Sequence, residues 1–181
     1  MFISPLVCAS LVALGLLGCR AAPAVPGGEG PPLRLVSYNV KHGIGMDGVL
    51  DLERTARVLE ALDADIVLLQ EIDQVCGRSG GVDQARSLGE RLGMHGRFAP
   101  FMGFDGGQYG LAILSRVAIL GSEVIQLPPG AQEPRAALVV TLRVGDRELR
   151  VANAHLDWLG DDTARLEQAR VLDAALIDAA S

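Results

Sequence analysis

The most informative stretch of the sequence, residues 63–72, reads Asp-Ala-Asp-Ile-Val-Leu-Leu-Gln-Glu-Ile. Its apolar run Ile66–Leu69 is uninterrupted, which is typical of a short strand buried on both faces. Glu71 follows this run, so a carboxylate stands at the end of a buried strand. Because open sheets gather their ligands at strand ends, Glu71 is the first candidate for a functional residue. The alternative is an exposed carboxylate without a special role.

One strand and two helices are predicted around this stretch. Residues 33–38 alternate enough for a strand that ends at Asn39. Asp51 is a suitable N-cap for a helix that runs to about Leu62, with its leucines on one face. A second helix is predicted over Val82–Leu92, and Gly93 is its stop signal.

Downstream, the pattern changes to consecutive strands. They are predicted at Arg97–Phe101, Leu111–Leu114, Val117–Gln126, Ala136–Val144 and Glu148–Ala154. Gly145-Asp146-Arg147, between the last two, is a hairpin signal. A final helix should start near Asp162 or Thr163, with an apolar stripe of Leu166, Ala169, Leu172 and Leu176. The class is therefore mixed α and β, with more consecutive strands than a pure βαβ array contains.

The composition is that of a folded domain with an acidic net charge. The chain has 181 residues, of which 49% are hydrophobic, and a formal net charge of −6. This length suffices for one domain with a real core, and the hydrophobic content argues against disorder. Because the sequence contains no basic run, nothing indicates binding to nucleic acid by counterion release.

The first residues are typical of an export signal. Residues 1–18 are apolar, interrupted by Pro5, and too short and irregular for a convincing membrane span. They end at Leu16-Leu17-Gly18-Cys19, which resembles the lipobox of bacterial lipoproteins. That resemblance implies cleavage before Cys19, a lipid on Cys19, and anchoring of an exported protein to the membrane of a bacterial cell envelope. The alternative is an ordinary secretory signal with an incidental cysteine. Residues 19–32, rich in Pro, Gly and Ala, are interpreted as a flexible tether.

Four polar residues at strand ends are candidates for chemistry. Asn39 and Glu71 follow the first two strands, and Asn153 and His155 close the last one with a spacing that points both to one face. Mg²⁺ needs only one or two carboxylates, with waters and substrate phosphate completing its shell, so Glu71 could be a ligand. Taken singly, each residue has a plainer interpretation: Asn39 as a turn residue, and His155 as a structural or surface histidine.

Five blocks of the sequence occur in the order known from one family. They are Leu35–Val40, Asp63–Ile72, Tyr109–Arg116, Glu133–Ala137 and Asn153–Asp157. Together they resemble the signature blocks of the endonuclease/exonuclease/phosphatase superfamily, also called deoxyribonuclease I-like. The resemblance implies a partial four-layer α/β sandwich of that type over residues 33–181, of α+β class and mostly its first sheet with flanking helices.

The resemblance also implies roles for individual residues. Glu71 would be the main ligand of Mg²⁺ or Mn²⁺, and Asn39 would help to hold the metal or the phosphate. Arg135 resembles an arginine that supports the active site. His155, with Asn153 in the same block, matches a histidine that assists proton transfer or binds the transition-state phosphate. Tyr109 is the weakest match, because the tyrosine used in some members does not sit clearly in this block.

The sequence departs from the family pattern after its last predicted helix. The family continues with Gly-Asp-x-Asn and a closing Asp-His pair, and neither motif occurs here. We therefore expect a truncated domain, impaired or inactive by itself, whose first sheet exposes its inner face to a partner chain.

Two functions fit these patterns. The first is metal-dependent hydrolysis of a phosphoester, with nucleic acid, nucleotide and lipid head group all open as substrates. The acidic charge and the expected anchor slightly favour a small or lipid phosphodiester. The second is a non-catalytic, lipid-anchored binding or assembly module that keeps the half-fold.

Overall fold

The computed structural model describes residues 32–130 and 133–178, so the predicted signal peptide and Cys19 lie outside the described residues. The described part contains seven strands and three α-helices, and the five strands β3 to β7 follow one another without an intervening α-helix. The strands are β1 Leu35–Asn39, β2 Ile66–Gln74, β3 His95–Phe104, β4 Gly107–Ser115, β5 Ile119–Leu127, β6 Arg135–Val144 and β7 Arg147–Ala154. The helices are α1 Leu52–Leu62, α2 Gln84–Leu92 and α3 Thr163–Asp178.

The strands form two sheets. The first has four strands in the order β1-β2-β4-β3, with β1 parallel to β2 and the other pairs antiparallel. The second has three antiparallel strands in the order β5-β6-β7. Val144 pairs with Arg147 in the β6–β7 hairpin, so Gly145 and Asp146 form its two-residue turn, as the hairpin signal predicted.

The two sheets pack face to face, and helices cover their outer faces. The apolar cluster between the sheets joins β2, β3 and β4 to β6 and β7. A second cluster joins the outer face of the first sheet to α1 and α2, while α3 packs against β5 of the second sheet. The order helix, sheet, sheet, helix confirms the predicted four-layer sandwich of mixed α and β class.

The helix boundaries follow the predicted caps. The Asp51 side chain accepts a hydrogen bond from the backbone N–H of Arg54, which starts α1. Asp83 caps α2 in the same way, so this helix begins two residues later than the predicted Val82. It ends at Gly93, whose φ of 65° is the left-handed conformation that a C-cap glycine adopts readily.

Two expectations about exposure are wrong. The inner face of the first sheet is buried against the second sheet along β2, β3 and β4; it is open at β1, where Leu35 is 46% exposed. Leu166, placed in the apolar stripe of α3, is 56% exposed, whereas Gln168 is buried. Gln168 accepts from the backbone N–H of Asp157 and donates to the Pro128 carbonyl, so its hydrogen bonds offset its burial.

The described part of the chain contains no helix with both the length and the apolar character that a membrane span requires.

Candidate active site

Glu71 lies on a β-bulge in the middle of β2. The register between β2 and β4 shifts between Gln70 and Ile72, and the extra residue is Glu71, with a φ of 57°. A left-handed backbone is uncommon for a residue with a side chain and marks local strain. Bulges re-aim side chains, and this one turns Glu71 out of the alternation of the strand. The strand continues to Gln74, so the predicted strand end is in fact a bulge.

Asn39 is brought directly to Glu71 by the parallel pairing of β1 and β2. Asn39 is paired with Gln70, and its Nδ2 donates to Glu71 Oε1 over 2.8 Å. Its Oδ1 accepts from the backbone N–H of Lys41 over 3.0 Å. Asn39 therefore holds the turn after β1, as its plainer interpretation proposed, and it also contacts Glu71, the residue expected to bind the metal. Lys41, His42 and Gly43 all have positive φ in this turn.

Asn153 is engaged inside the sandwich and does not face the site with a free amide. It is 1% exposed, and its Nδ2 donates to the carbonyls of Leu69 (2.8 Å) and Ala112 (2.9 Å), which are paired across β2 and β4. Its Oδ1 accepts from Gln70 Nε2 over 2.7 Å. Asn153 thus links the second sheet to the two residues before the bulge, which makes it a positioning residue for Glu71.

Arg135 is a buried cation with unused donors. It is 2% exposed at the start of β6, and its guanidinium lies 5.8 Å from the centre of the Phe101 ring. Its Nη1 lies 3.1 Å from Glu133 Oε2. This contact lacks the angle of a hydrogen bond, and within the described residues Arg135 Nε and Nη1 have no hydrogen-bond partner. Buried guanidinium N–H groups are normally satisfied, so these two are available to an anionic ligand.

His155 lies next to Arg135 and follows the end of β7. Burial lowers the pKa of His155 below its ordinary value of 6.5, and the Arg135 guanidinium lowers it further. The carboxylates of Glu71 and Glu133 act in the opposite direction without cancelling the effect. The imidazole is therefore neutral near pH 7. Its Nδ1 is buried and has no hydrogen-bond partner among the described residues.

Tyr109 lies between these groups on β4. Its ring packs edge-on against Phe101, with ring centroids 5.0 Å apart. Burial raises the pKa of the Tyr109 hydroxyl, and the carboxylates of Glu71 and Glu133 raise it further. The phenol stays protonated at physiological pH and can donate a hydrogen bond. The structure thus places Tyr109, Glu71, Arg135 and His155 in one neighbourhood, where the charges of Glu71 and Arg135 act on both Tyr109 and His155.

An ion pair that the sequence reasoning missed borders this site. Asp73, two residues after Glu71, is fully buried, and Arg78 donates to both its carboxylate oxygens over 2.8 and 2.7 Å. Burial alone would raise the pKa of Asp73, but the hydrogen bonds from Arg78 and Ser79 and the charge of Arg78 hold it below its ordinary value. The only signal in the sequence was the apolar Ile72 between the charged residues Glu71 and Asp73, beyond the predicted end of the strand.

His42 belongs to the same cluster. Gln84 Nε2 donates to the His42 carbonyl over 2.8 Å, while Gln84 Oε1 accepts from the backbone N–H of Asp73. Burial and the charge of Arg78 lower the pKa of His42 below 6.5, against the carboxylates of Asp73 and Glu71. His42 Nδ1 is buried without a hydrogen-bond partner in the described part of the chain.

Replacing Arg78 with methionine is expected to destabilise the fold by about 3 kcal/mol, because it leaves the Asp73 carboxylate buried without a partner. The double variant Asp73→Asn/Arg78→Met should be more stable than this single variant, since no uncompensated charge remains. Urea denaturation of both variants and the wild type measures the difference. A single variant within about 0.5 kcal/mol of the wild type would contradict the role given to this pair.

Acidification is expected to destabilise the chain as the pH falls through 6.5. The folded-state pKa values of His42 and His155 lie below 6.5, so the unfolded state binds more protons in this window, and the free energy of unfolding decreases. Urea denaturation at pH 7.5, 6.5 and 5.5 should show a smaller decrease for His155→Gln. The exposed His95 provides the control, because His95→Gln should keep the wild-type pH dependence.

The donors around Glu71 suit a hard cation better than zinc. In the described residues, no three His, Cys, Asp or Glu side chains are arranged to hold a metal ion. Zinc usually requires three or four such ligands, whereas Mg²⁺ binds one or two carboxylates and keeps several waters. Glu71 supplies a carboxylate, and Asn39 Oδ1 keeps a second lone pair beside its bond to Lys41.

Comparison with known proteins gives a family and a set of related folds. The model of the Endonuclease/Exonuclease/phosphatase family matches residues 36–181. The chain is similar to the endonuclease/exonuclease/phosphatase from Beutenbergia cavernae DSM 12333, with 27% identity and a TM-score of 0.65 over 78% of this chain and 43% of that one. It is also similar to the human Nocturnin catalytic domain with bound sulfate, with 25% identity and a TM-score of 0.63 over 81% and 59%.

A third similar structure supports the fold alone. A functionally unknown conserved protein from Enterococcus faecalis V583 has 24% identity and a TM-score of 0.66, over 81% of this chain and 61% of that one. The chain therefore spans between 43% and 61% of the length of these three structures.

Proposed function

Because the chain belongs to the endonuclease/exonuclease/phosphatase family, we propose that it carries part of the active site of a metal-dependent phosphoester hydrolase. The observation that carries this proposal is the Asn39–Glu71 pair at the bulge, in the same neighbourhood as the buried Arg135, two of whose donor nitrogens have no partner in the part of the chain that the structure describes. A metal ligand set and an anion-binding cation in one site are the elements that phosphoester chemistry requires.

Glu71 and Asn39 would hold the metal ion, which we propose to be Mg²⁺ or Mn²⁺. The family generally depends on divalent metal ions. Such an ion, when bound, would polarise a phosphoryl oxygen and neutralise charge that develops on it. Asn39 orients the Glu71 carboxylate through its 2.8 Å hydrogen bond. The bulge fixes the direction of that carboxylate before any ligand arrives.

Arg135, His155 and Tyr109 would serve the phosphate. Arg135 Nε and Nη1, which have no hydrogen-bond partner among residues 32–130 and 133–178, would donate to phosphoryl oxygens, where charge-assisted hydrogen bonds are strong. His155, neutral near pH 7, can accept a proton from an attacking water or donate a hydrogen bond to an oxygen. The protonated Tyr109 hydroxyl would be a further donor. Asn153 would act through its links to β2 and β4.

The substrate is proposed to be a small or lipid phosphodiester rather than duplex DNA. The net charge of −6 and the absence of a basic run in the sequence leave no long cationic surface for a duplex. The human Nocturnin catalytic domain, a similar structure, binds a sulfate anion. Because the chain spans about half the length of its structural relatives, we expect slow turnover by this chain alone.

The test is hydrolysis of bis(p-nitrophenyl) phosphate by the purified full chain with Mg²⁺, with Mn²⁺ and with EDTA. The proposal expects turnover with either metal and none with EDTA. Turnover that persists in EDTA would contradict it. A folded chain that binds metal and phosphate but never turns over would favour the non-catalytic binding module.

We further propose that the protein is exported and anchored to the bacterial cell envelope through a lipid on Cys19. The support is the sequence Leu16-Leu17-Gly18-Cys19, which resembles a lipobox, followed by a Pro- and Gly-rich tether. Incorporation of radiolabelled palmitate into the wild type but not into Cys19→Ser is the expected result. Equal labelling of both would remove this proposal.

A further inference from the structure

Arg78 is held rigidly, and its side chain uses only two of its N–H donors within the residues that the structure describes. Asp73 occupies the edge of the guanidinium formed by Nε and Nη2. The guanidinium carbon lies 4.1 Å from the centre of the Phe104 ring and 4.8 Å from that of Tyr109. An arginine has five N–H donors, so three remain after the Asp73 contacts. The Arg78 guanidinium therefore presents hydrogen-bond donors in a fixed orientation beside the candidate active site.

The segment that carries Arg78 is also fixed. The Arg78 backbone N–H donates to the Asp105 side chain over 2.5 Å, and the Gly77 N–H donates to the Asp105 carbonyl over 2.9 Å. Cys76, directly before them, is fully buried, and its Sγ contacts the Gln108 carbonyl at 3.2 Å. The short turn between β3 and β4 thus clamps this loop. A side chain on such an anchored loop loses little entropy when it binds a ligand.

Two aromatic rings lie between Arg78 and Arg135. Arg78 packs on Tyr109, Tyr109 packs on Phe101, and Arg135 lies over Phe101. The two guanidinium groups therefore occupy separate positions around the site. His42 lies on the Arg78 side, because Gln84 links its carbonyl to the backbone N–H of Asp73, the partner of Arg78. His155 lies on the Arg135 side, because it directly follows Ala154, which pairs with Ala137 near the start of β6.

We propose that Arg78 and His42 form a second anion subsite, which binds a phosphate group that the substrate carries next to its scissile phosphoester. This inference rests on the proposed function, because it takes the scissile phosphoester to lie at Glu71 and Arg135. The groups that would contact the second phosphate are the remaining N–H donors of Arg78 and the buried Nδ1 of His42, which has no hydrogen-bond partner in the described residues. Because Asp73 neutralises most of the Arg78 charge, the subsite works through directional hydrogen bonds rather than long-range attraction.

The probes are thymidine 3′,5′-bisphosphate and the two thymidine monophosphates, titrated calorimetrically into the full chain with Mg²⁺. The subsite predicts that the bisphosphate binds at least about tenfold more tightly than either monophosphate, which is the size expected for one charge-assisted hydrogen bond. The double variant Asp73→Asn/Arg78→Gln removes the guanidinium and leaves no unpaired charge buried, so it should abolish this preference. His42→Gln leaves the Asp73–Arg78 ion pair intact and should weaken the preference. It therefore tests the subsite even if the double variant does not fold. Arg86→Gln, at an exposed arginine of α2, should change nothing.

Equal affinities for the three probes, or a preference that survives in both variants, would overturn the subsite. Absence of binding by any probe would overturn it as well. The outcome is separable from that of the hydrolysis test. If the chain prefers the bisphosphate in an Arg78-dependent way but hydrolyses no phosphodiester, the subsite is supported and the proposed activity is contradicted. If it hydrolyses the phosphodiester with metal but does not prefer the bisphosphate, the activity is supported and the subsite is contradicted.

Discussion

Replacing Glu71 with glutamine is expected to lower metal-dependent phosphodiester hydrolysis at least about 100-fold. Loss of a residue that merely supports a metal ligand typically costs about 10–100-fold, so loss of the ligand should cost at least that much. Glutamine has the same shape, and its amide oxygen can still accept the hydrogen bond from Asn39. The fold should therefore persist, with a stability change within about 0.5 kcal/mol. Initial rates with Mg²⁺ and with Mn²⁺ measure the effect.

The matched control is Glu53→Gln, which makes the same chemical change at an exposed position on α1. It should retain the wild-type rate. A Glu71→Gln variant with more than about a tenth of the wild-type rate would show that Glu71 is not the main ligand, since tenfold lies at the bottom of the range for supporting residues. The metal would then be held elsewhere, and the bulge of β2 would have no role in metal binding.

Replacing Asn153 with alanine is expected to reduce the free energy of unfolding by about 4 kcal/mol. The change removes a hydrogen bond from the Leu69 carbonyl and one from the Ala112 carbonyl, whereas Gln70 Nε2 keeps its bonds to Ser37 Oγ and the Leu68 carbonyl. Loss of a partner by a buried polar group costs about 1–3 kcal/mol, and two carbonyls are affected at a position that is 1% exposed. Urea denaturation followed by circular dichroism measures the loss.

Asn39→Ala is the matched control for this prediction, because it removes the same amide from a position that is only partly buried. Its hydrogen bonds go to Glu71 and to the Lys41 backbone, both accessible to water, so about 1 kcal/mol of destabilisation is expected. Equal effects of the two substitutions would mean that Asn153 does not link the sheets in solution.

The elements were predictable from the sequence because their signals are local. Asp51 and Gly93 mark helix ends through contacts with residues a few positions away, and the Gly145-Asp146 turn follows from chain geometry. The proximity of Asn39 to Glu71 was predictable in part, since two strands that each end in a polar residue often share an edge. The bulge was not predictable, because it depends on the register between β2 and β4.

The roles that the sequence did not reveal depend on contacts between distant residues. Asn153 resembles a catalytic residue in its block, but its partners lie 41 to 84 positions away in the other sheet. The Asp73–Arg78 pair was missed because β2 was expected to end at Glu71, whereas the bulge lets it continue. The polar Gln168 on the buried face of α3 was missed for the same reason, since its partners are not on the helix.

The most direct measurement is the binding of Mn²⁺ to the full chain, followed by electron paramagnetic resonance with the free-ion signal as readout. It tests whether Glu71 and Asn39 hold a metal ion, without requiring turnover. We expect saturable binding of one ion to the wild type, retained in Glu53→Gln and at least about tenfold weaker in Glu71→Gln. Binding of equal strength to the wild type and Glu71→Gln would contradict the claim that the bulge of β2 is a metal site.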